Sequence, residues 1–187
     1  MPFTPYHMGP GMLTKSLFQG RFSILLFGWS QVLIDLQALI FHATGVGVSH
    51  GLPHTFIGSF FIAIFAAISG KYMFEAIFRV IGNKTNLKNF NLNYSFRNNQ
   101  YTACLFKDLN ISYSWGVAFL SVFIGSFSHI VIDALCHPDM APFYPLDDSN
   151  PFFELISYRT LLISCILSGL VGVFVYSIVK MVKYKKL

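Results

Sequence analysis

His129 and Asp133 lie four residues apart in GSFSHIVIDALCHPDM, inside an otherwise apolar stretch. In a helix that spacing sends both side chains to one side. His137 and Asp139 follow at once, where Pro138 ends the helix. Earlier in the chain His50 and His54 are again four apart, in HGLPHTF, with Pro53 suited to a first helical turn. If the helix already includes His50, the two imidazoles share a face; if it begins at Pro53, the preceding loop must bring His50 back. Asp35 stands in QVLIDLQALIF and His7 in MPFTPYHMGPG. Imidazole and carboxylate are the ligands expected for zinc and related divalent ions, manganese and iron included. A set this large can serve two ions or one open, water-bearing site. Water held there ionises near neutral pH and can attack an ester or phosphoester. Either Asp35 or Asp139 is a candidate to orient that water.

The elements that position these residues follow from composition. Of the 187 residues, 54% are hydrophobic and only 11% charged, whereas soluble domains carry about 25% charged residues. Four stretches, roughly 22–46, 55–80, 112–136 and 155–182, reach the ~20 apolar residues that a membrane-crossing helix needs. The expected fold is therefore all-α: one membrane-embedded domain over 1–187, a polytopic bundle of four transmembrane helices. An ionisable group inside such a helix costs about 2.5–3.5 kcal/mol, which makes Asp35, His129 and Asp133 functional candidates by default. The competing reading is that they hydrogen-bond one another and only hold helices together.

Basic residues settle an expected orientation. Lys15 and Arg21 precede the first apolar segment, Lys84, Lys88, Arg97 and Lys107 fill the polar loop 81–111, and Lys180, Lys183, Lys185 and Lys186 close the sequence. By the positive-inside rule these regions, and both termini, are cytoplasmic. The connections 47–54 and 137–154 carry no Lys or Arg, and the second holds Asp139, Asp147, Asp148 and Glu154. Asp35, His50, His54, His129, Asp133 and His137 then all fall towards the non-cytoplasmic leaflet. The segment Met8 to Gln19 is too short to span, and Gly20 with Arg21 makes a turn, so a half-length helix packed antiparallel to the first spanning helix is expected. At about 1.5 Å per residue, His7 and Asp35 lie at equal heights of roughly 20 Å above that turn. His42 is expected at the membrane surface. The basic residues flank apolar segments and form no aromatic-interleaved stripe, so nucleic acid is not an expected partner. Cys104, Cys136 and Cys165 show no paired spacing and imply no disulfide framework. The first twenty residues show no removable signal peptide.

MPFTPYHMGPG, an Asp late in the first long helix, HGLPHTFIG and GSFSHIVIDALCHPDMAPFYPL, in that order, resemble the YdjM-like inner-membrane proteins, described as metal-dependent hydrolases. That family is in turn similar to the zinc-dependent phospholipase C and single-strand nuclease group, all-helical enzymes with His/Asp metal clusters. The resemblance implies that His129 and Asp133 form the group's His-x-x-x-Asp pair and that His7, Asp35, His50 and His54 supply the rest, with His137 in support. Gly51 stands where the family's middle motif often carries arginine. The implied protein is a hydrolase at the outer leaflet of a bacterial cytoplasmic membrane, acting on a lipid or small-molecule ester or phosphoester through a divalent ion, zinc foremost, with membrane lipids as its surroundings. Two other functions fit buried histidines in a four-helix bundle. One is a haem protein, against which Asp35 and Asp133 count. The other is an ion- or proton-coupled transporter, against which the lack of a broken-helix repeat counts.

Overall fold

The computed structural model describes residues 5–84 and 113–185. Within them the chain forms five α-helices, α1 (Met8–Phe18), α2 (Ile24–Thr44), α3 (Phe56–Lys84), α4 (Trp115–Cys136) and α5 (Tyr158–Lys185), with short 3-10 turns at Pro5–His7, Gln19–Arg21 and Leu52–His54. Four are long and apolar enough to cross a membrane: Ile24–Thr44, Phe56–Val80, Trp115–Cys136 and Tyr158–Lys183. The protein is thus an all-helical bundle of membrane type, and α1, with 11 residues, is the expected half-helix.

The ends differ from expectation by small amounts with identifiable causes. α1 stops at Phe18 because Gln19 turns to φ 51° and returns its N–H to the Lys15 carbonyl. α3 runs to Lys84 rather than ending at 80, since VIGNK contains no proline to stop backbone bonding beyond the apolar stretch. The rest of the expected polar loop, with Cys104, lies outside the described residues. Ser23, Ser114 and Ser157 cap α2, α4 and α5 by accepting from Leu26, Val117 and Thr160 N–H groups. Gly45, at φ 70°, closes α2 in the left-handed conformation that glycine allows without penalty.

α4 sits between α2 and α3. Its buried face is a stripe of small residues, Ala118, Ser121, Val122, Gly125 and Ser126, recurring every three to four positions. Between membrane helices the gain comes from close van der Waals approach and hydrogen bonds, and small residues permit both. A Cβ at Gly125 would strike the Phe27 carbonyl and the Ser30 hydroxyl of α2. Ser121 Oγ accepts the Ser23 N–H at 2.8 Å, and Trp29 Nε1 donates to Ser69 Oγ at 3.1 Å, joining α2 to α3. His129 and Asp133 simply continue the α4 stripe, so the packing that brings three helices together also delivers them to the interior.

α5 packs chiefly on α1 and only lightly on α4. The α1–α5 contact is backbone to backbone: a Cβ at Gly9 would enter the Cys165 carbonyl, and one at Gly172 would enter the Met12–Leu13 peptide. Lys15, buried at the far end of α1, donates to the carbonyls of Gln19 (2.9 Å) and Phe22 (2.7 Å) and holds the reversal into α2. α1 is therefore clamped on two sides, and its first turn, Pro5–His7, is carried to the level of Asp35.

Gly172→Leu is expected to wedge α1 from α5 and destabilise the fold by about 1–3 kcal/mol, the usual cost of overpacking. The loss is read as a lower thermal midpoint in detergent. Gly20→Ala, at a turn with open space around it, is the control and leaves the midpoint unchanged.

Candidate metal centre

Four elements deliver side chains to one point. α2 supplies Asp35, α4 supplies His129 and Asp133, the 3-10 turn before α3 supplies His54, and the turn before α1 supplies His7. All five are buried. His129 Nε2 lies 3.2 Å from Asp35 Oδ1 and 3.1 Å from Asp133 Oδ2. His54 Nε2 lies 3.7 Å from Asp35 Oδ1 and 4.0 Å from Asp133 Oδ2, and His7 Nε2 lies 3.3 Å from Asp133 Oδ1.

These separations can be compared with what an ion requires. Nitrogen and oxygen ligands sit about 2.0–2.2 Å from zinc, which places neighbouring ligands of a tetrahedron about 3.4 Å apart. The observed 3.1–4.0 Å range brackets that value. Both Nδ1 atoms of His54 and His129 are buried without a hydrogen-bond partner, and both Nε2 atoms face only the Asp35 and Asp133 carboxylates, off the line of a well-aligned hydrogen bond. A buried polar atom left unpaired costs about 1–3 kcal/mol, and a lone pair donated to a cation removes that cost at Nε2. Asp35, His54, His129 and Asp133 thus form a group that could hold a metal ion.

A second group adjoins the first. His50 Nδ1 and Asp139 Oδ2 are 2.7 Å apart, and the His137 ring lies against His50, tilted by 34°, with centroids at 4.5 Å. His50, His137 and Asp139 together could hold an ion as well. The two groups are continuous, because His50 meets His54 edge-on at 5.0 Å, His54 meets His129 at 5.8 Å, and His129 meets His7 at 4.7 Å. The inner group is enclosed, whereas the Asp139 side chain is 56% exposed and marks the rim.

Loop residues fix this rim. His137 is the C-cap of α4, and Asn150 Nδ2 donates to the carbonyls of Ala134 (2.8 Å) and His137 (2.9 Å), holding the last turn of α4. Pro142 accepts the Phe56 N–H at 2.9 Å, binding the post-α4 loop to the start of α3. Gly51 donates to Gln37 Oε1 at 3.2 Å, and any Cβ at residue 51 would collide with that amide. Outside the spanning helices, burial pushes the His54 and His137 imidazoles down from the ordinary histidine range. For Asp139 partial burial is the largest single influence and works upward, but the hydrogen bond and charge of His50, a backbone hydrogen bond and the His137 charge together outweigh it and hold the carboxyl below its usual range. Neutral imidazole and ionised carboxylate are the forms that bind metal.

All the residues expected from sequence, His7, Asp35, His50, His54, His129, Asp133 and His137 with Asp139, come together, while His42 is exposed in the last turn of α2 beside Phe41. His50 is in the loop: α3 begins at Phe56, so the loop does return it. His7 meets Asp133 rather than Asp35, because the Pro5–His7 turn packs against α4 and α5. The residues not anticipated are Gln31, Gln37 and Asn150. Gln31, fully buried, donates to the His7 carbonyl at 3.5 Å; its position four residues before Asp35 was the available signal. No family model, curated protein or solved structure matches this chain.

Purified without added metal or chelator, the protein is expected to contain near-stoichiometric divalent metal by elemental mass spectrometry. His129→Ala and Asp133→Asn are expected to lower it at least tenfold, and His42→Ala not at all. Equal metal in all four proteins would remove the ion from this site.

Proposed function

We propose that this protein is a membrane-embedded metal-dependent hydrolase that cleaves an ester or phosphoester at the surface of the bundle where α4 ends and α5 begins. The observation that carries the reading is the inner group: two carboxylates and two imidazoles converging at ion-ligand spacing in the buried interior. The resemblance to YdjM-like proteins points to the same chemistry. A divalent ion, zinc by ligand type, would supply the Lewis acidity that lets water ionise near neutral pH and stabilises charge on a substrate oxygen.

The chain's own residues divide the remaining work. Asp35, His54, His129 and Asp133 hold the ion in the enclosed interior, and His7 closes the ring from the Asp133 side. Asp139 is the carboxylate assigned to the attacking water, because it alone among the site's carboxylates reaches solvent. His50 hydrogen-bonds it and sets its direction. Asp35, enclosed between His54 and His129, acts as a ligand. That enclosure also speaks against haem, since carboxylate oxygens occupy the space that both Nε2 atoms face.

The orientation follows the charge pattern: Lys15, Arg21, Arg79, Lys180 and Lys183 belong to the end opposite the site, while Asp139, Asp147, Asp148 and Glu154 belong to its own end. By the positive-inside rule the site faces the non-cytoplasmic leaflet of a bacterial cytoplasmic membrane.

The metal-loaded protein is expected to hydrolyse 4-nitrophenyl acetate or bis(4-nitrophenyl) phosphate, to lose that activity on chelation and to regain it with zinc, manganese or iron. Asp139→Asn is expected to lower kcat by about 10²- to 10⁴-fold, the usual share of a positioned acid–base group, with KM little changed. A metal-loaded protein inert toward both compounds would exclude hydrolysis.

A further inference from the structure

Beside the metal centre a cavity of about 140 Å³ opens between α4 and α5. Its two walls differ in chemistry. One is formed by His7, Asp133 and His137, all members of the candidate site. The other is formed by Ile132 and Cys136 of α4 with Leu161, Leu162 and Cys165 of α5. Tyr6 and Tyr158, both largely exposed, stand at its margin. The seam it occupies is thin, an apolar cluster of Ile132, Leu161 and Cys165 backed by Leu135 and Cys136. Ile132, Leu161 and Leu162 all lie within segments fit to cross a membrane, near the ends of α4 and α5 that carry the candidate site.

We infer that this cleft is a binding site for the apolar chain of an amphiphilic ester or phosphoester, whose cleavable head lies against His7, Asp133 and His137. The inference rests on the hydrolase reading for the head group and names the class of substrate. Three observations argue for this occupant. The polar wall is continuous with the ion-binding group through Asp133, so a ligand in the cleft presents one end to the ion. The rest of the lining, Ile132, Cys136, Leu161, Leu162 and Cys165, offers no charged side chain, so it matches apolar matter. The volume is close to that of an apolar protein cavity of about 150 Å³ that takes up benzene, enough for the first few methylenes of a chain whose remainder leaves along the α4–α5 seam. Exposed tyrosines at the margin suit the boundary between head groups and hydrocarbon.

The test uses the metal-loaded protein in digitonin, a detergent without a free alkyl chain, and a series of 4-nitrophenyl esters from acetate to decanoate. Transfer of each methylene into the cleft should raise kcat/KM up to about fourfold over the first few carbons, with a plateau beyond. Leu162→Trp, which fills the cleft, should flatten the series while bound metal stays as in the unaltered protein. Independently of catalysis, a diazirine-bearing decyl alcohol should photolabel residues 132–136 and 158–165, and Leu162→Trp should abolish the labelling. Labelling without hydrolysis of any ester would retain the chain-binding site and remove the hydrolase reading. Hydrolysis with no dependence on chain length and no labelling in the cleft would overturn the inference and leave the hydrolase reading standing. Labelling confined to the outward face of α5 would also overturn it.

Discussion

Two carboxylates, Asp35 from α2 and Asp133 from α4, face the same buried imidazole at 3.2 and 3.1 Å, and the rest of the bundle can be understood as the means of bringing them there and compensating them. Like charges this close repel strongly in a medium of low dielectric constant. Compensation must therefore come from positive charge between them, and a divalent ion supplies more of it than a single shared proton. His54 and His7 approach from the two remaining sides, so the carboxylates are ringed by nitrogen instead of hydrocarbon. The small-residue stripe of α4 is a precondition: without Gly125 against the Phe27 carbonyl, α2 and α4 would stand too far apart for one imidazole to reach both acids.

The second structural theme is an asymmetry in how α5 is held. It is locked to α1 where glycine backbones touch, yet its contact with α4 is thin and includes a cleft. Rigid support on one side and a loose seam on the other let the bundle keep His7 in place while leaving the flank of the metal centre open. A half-length helix is suited to this. It begins at the height of the candidate site, so the 3-10 turn before it, Pro5–His7, can place His7 against Asp133, which a helix crossing the whole bundle could provide only by being broken.

Helix positions were legible in sequence because hydrophobic length is a strong constraint on a membrane chain, and each expected span changed at its ends by only a few residues. The site was legible for a related reason: a His or Asp in hydrocarbon is costly, so His129, Asp133 and Asp35 announce themselves against their apolar surroundings. Which residue would face which was not legible. Heights along the helices put His7 level with Asp35 but gave no information on rotation about the axes; the Pro5–His7 turn packs against α4 and α5, and His7 meets Asp133. The fixing residues of the rim escaped notice for another reason. Gln37 and Asn150 are ordinary polar residues near a loop, and nothing in QALIF or DDSNP separates a hydrogen-bonding anchor from a solvated side chain. The alternatives left open for His50 were decided by the loop, where Gly51 and Gln37 interlock.

Asp35 also has a history that the finished bundle conceals. During synthesis α2 is made well before α4, and at roughly 5–20 residues per second the interval before His129 leaves the ribosome is on the order of 5 to 20 s. For that time the carboxylate must be accommodated in a nascent hairpin of α1, α2 and α3 only. His54, which follows Asp35 far sooner in the chain and ends 3.7 Å from it, is the first of its eventual neighbours to emerge after it. The same imidazole that joins the candidate ion-holding group is thus the natural temporary partner for an acid in an unfinished membrane helix.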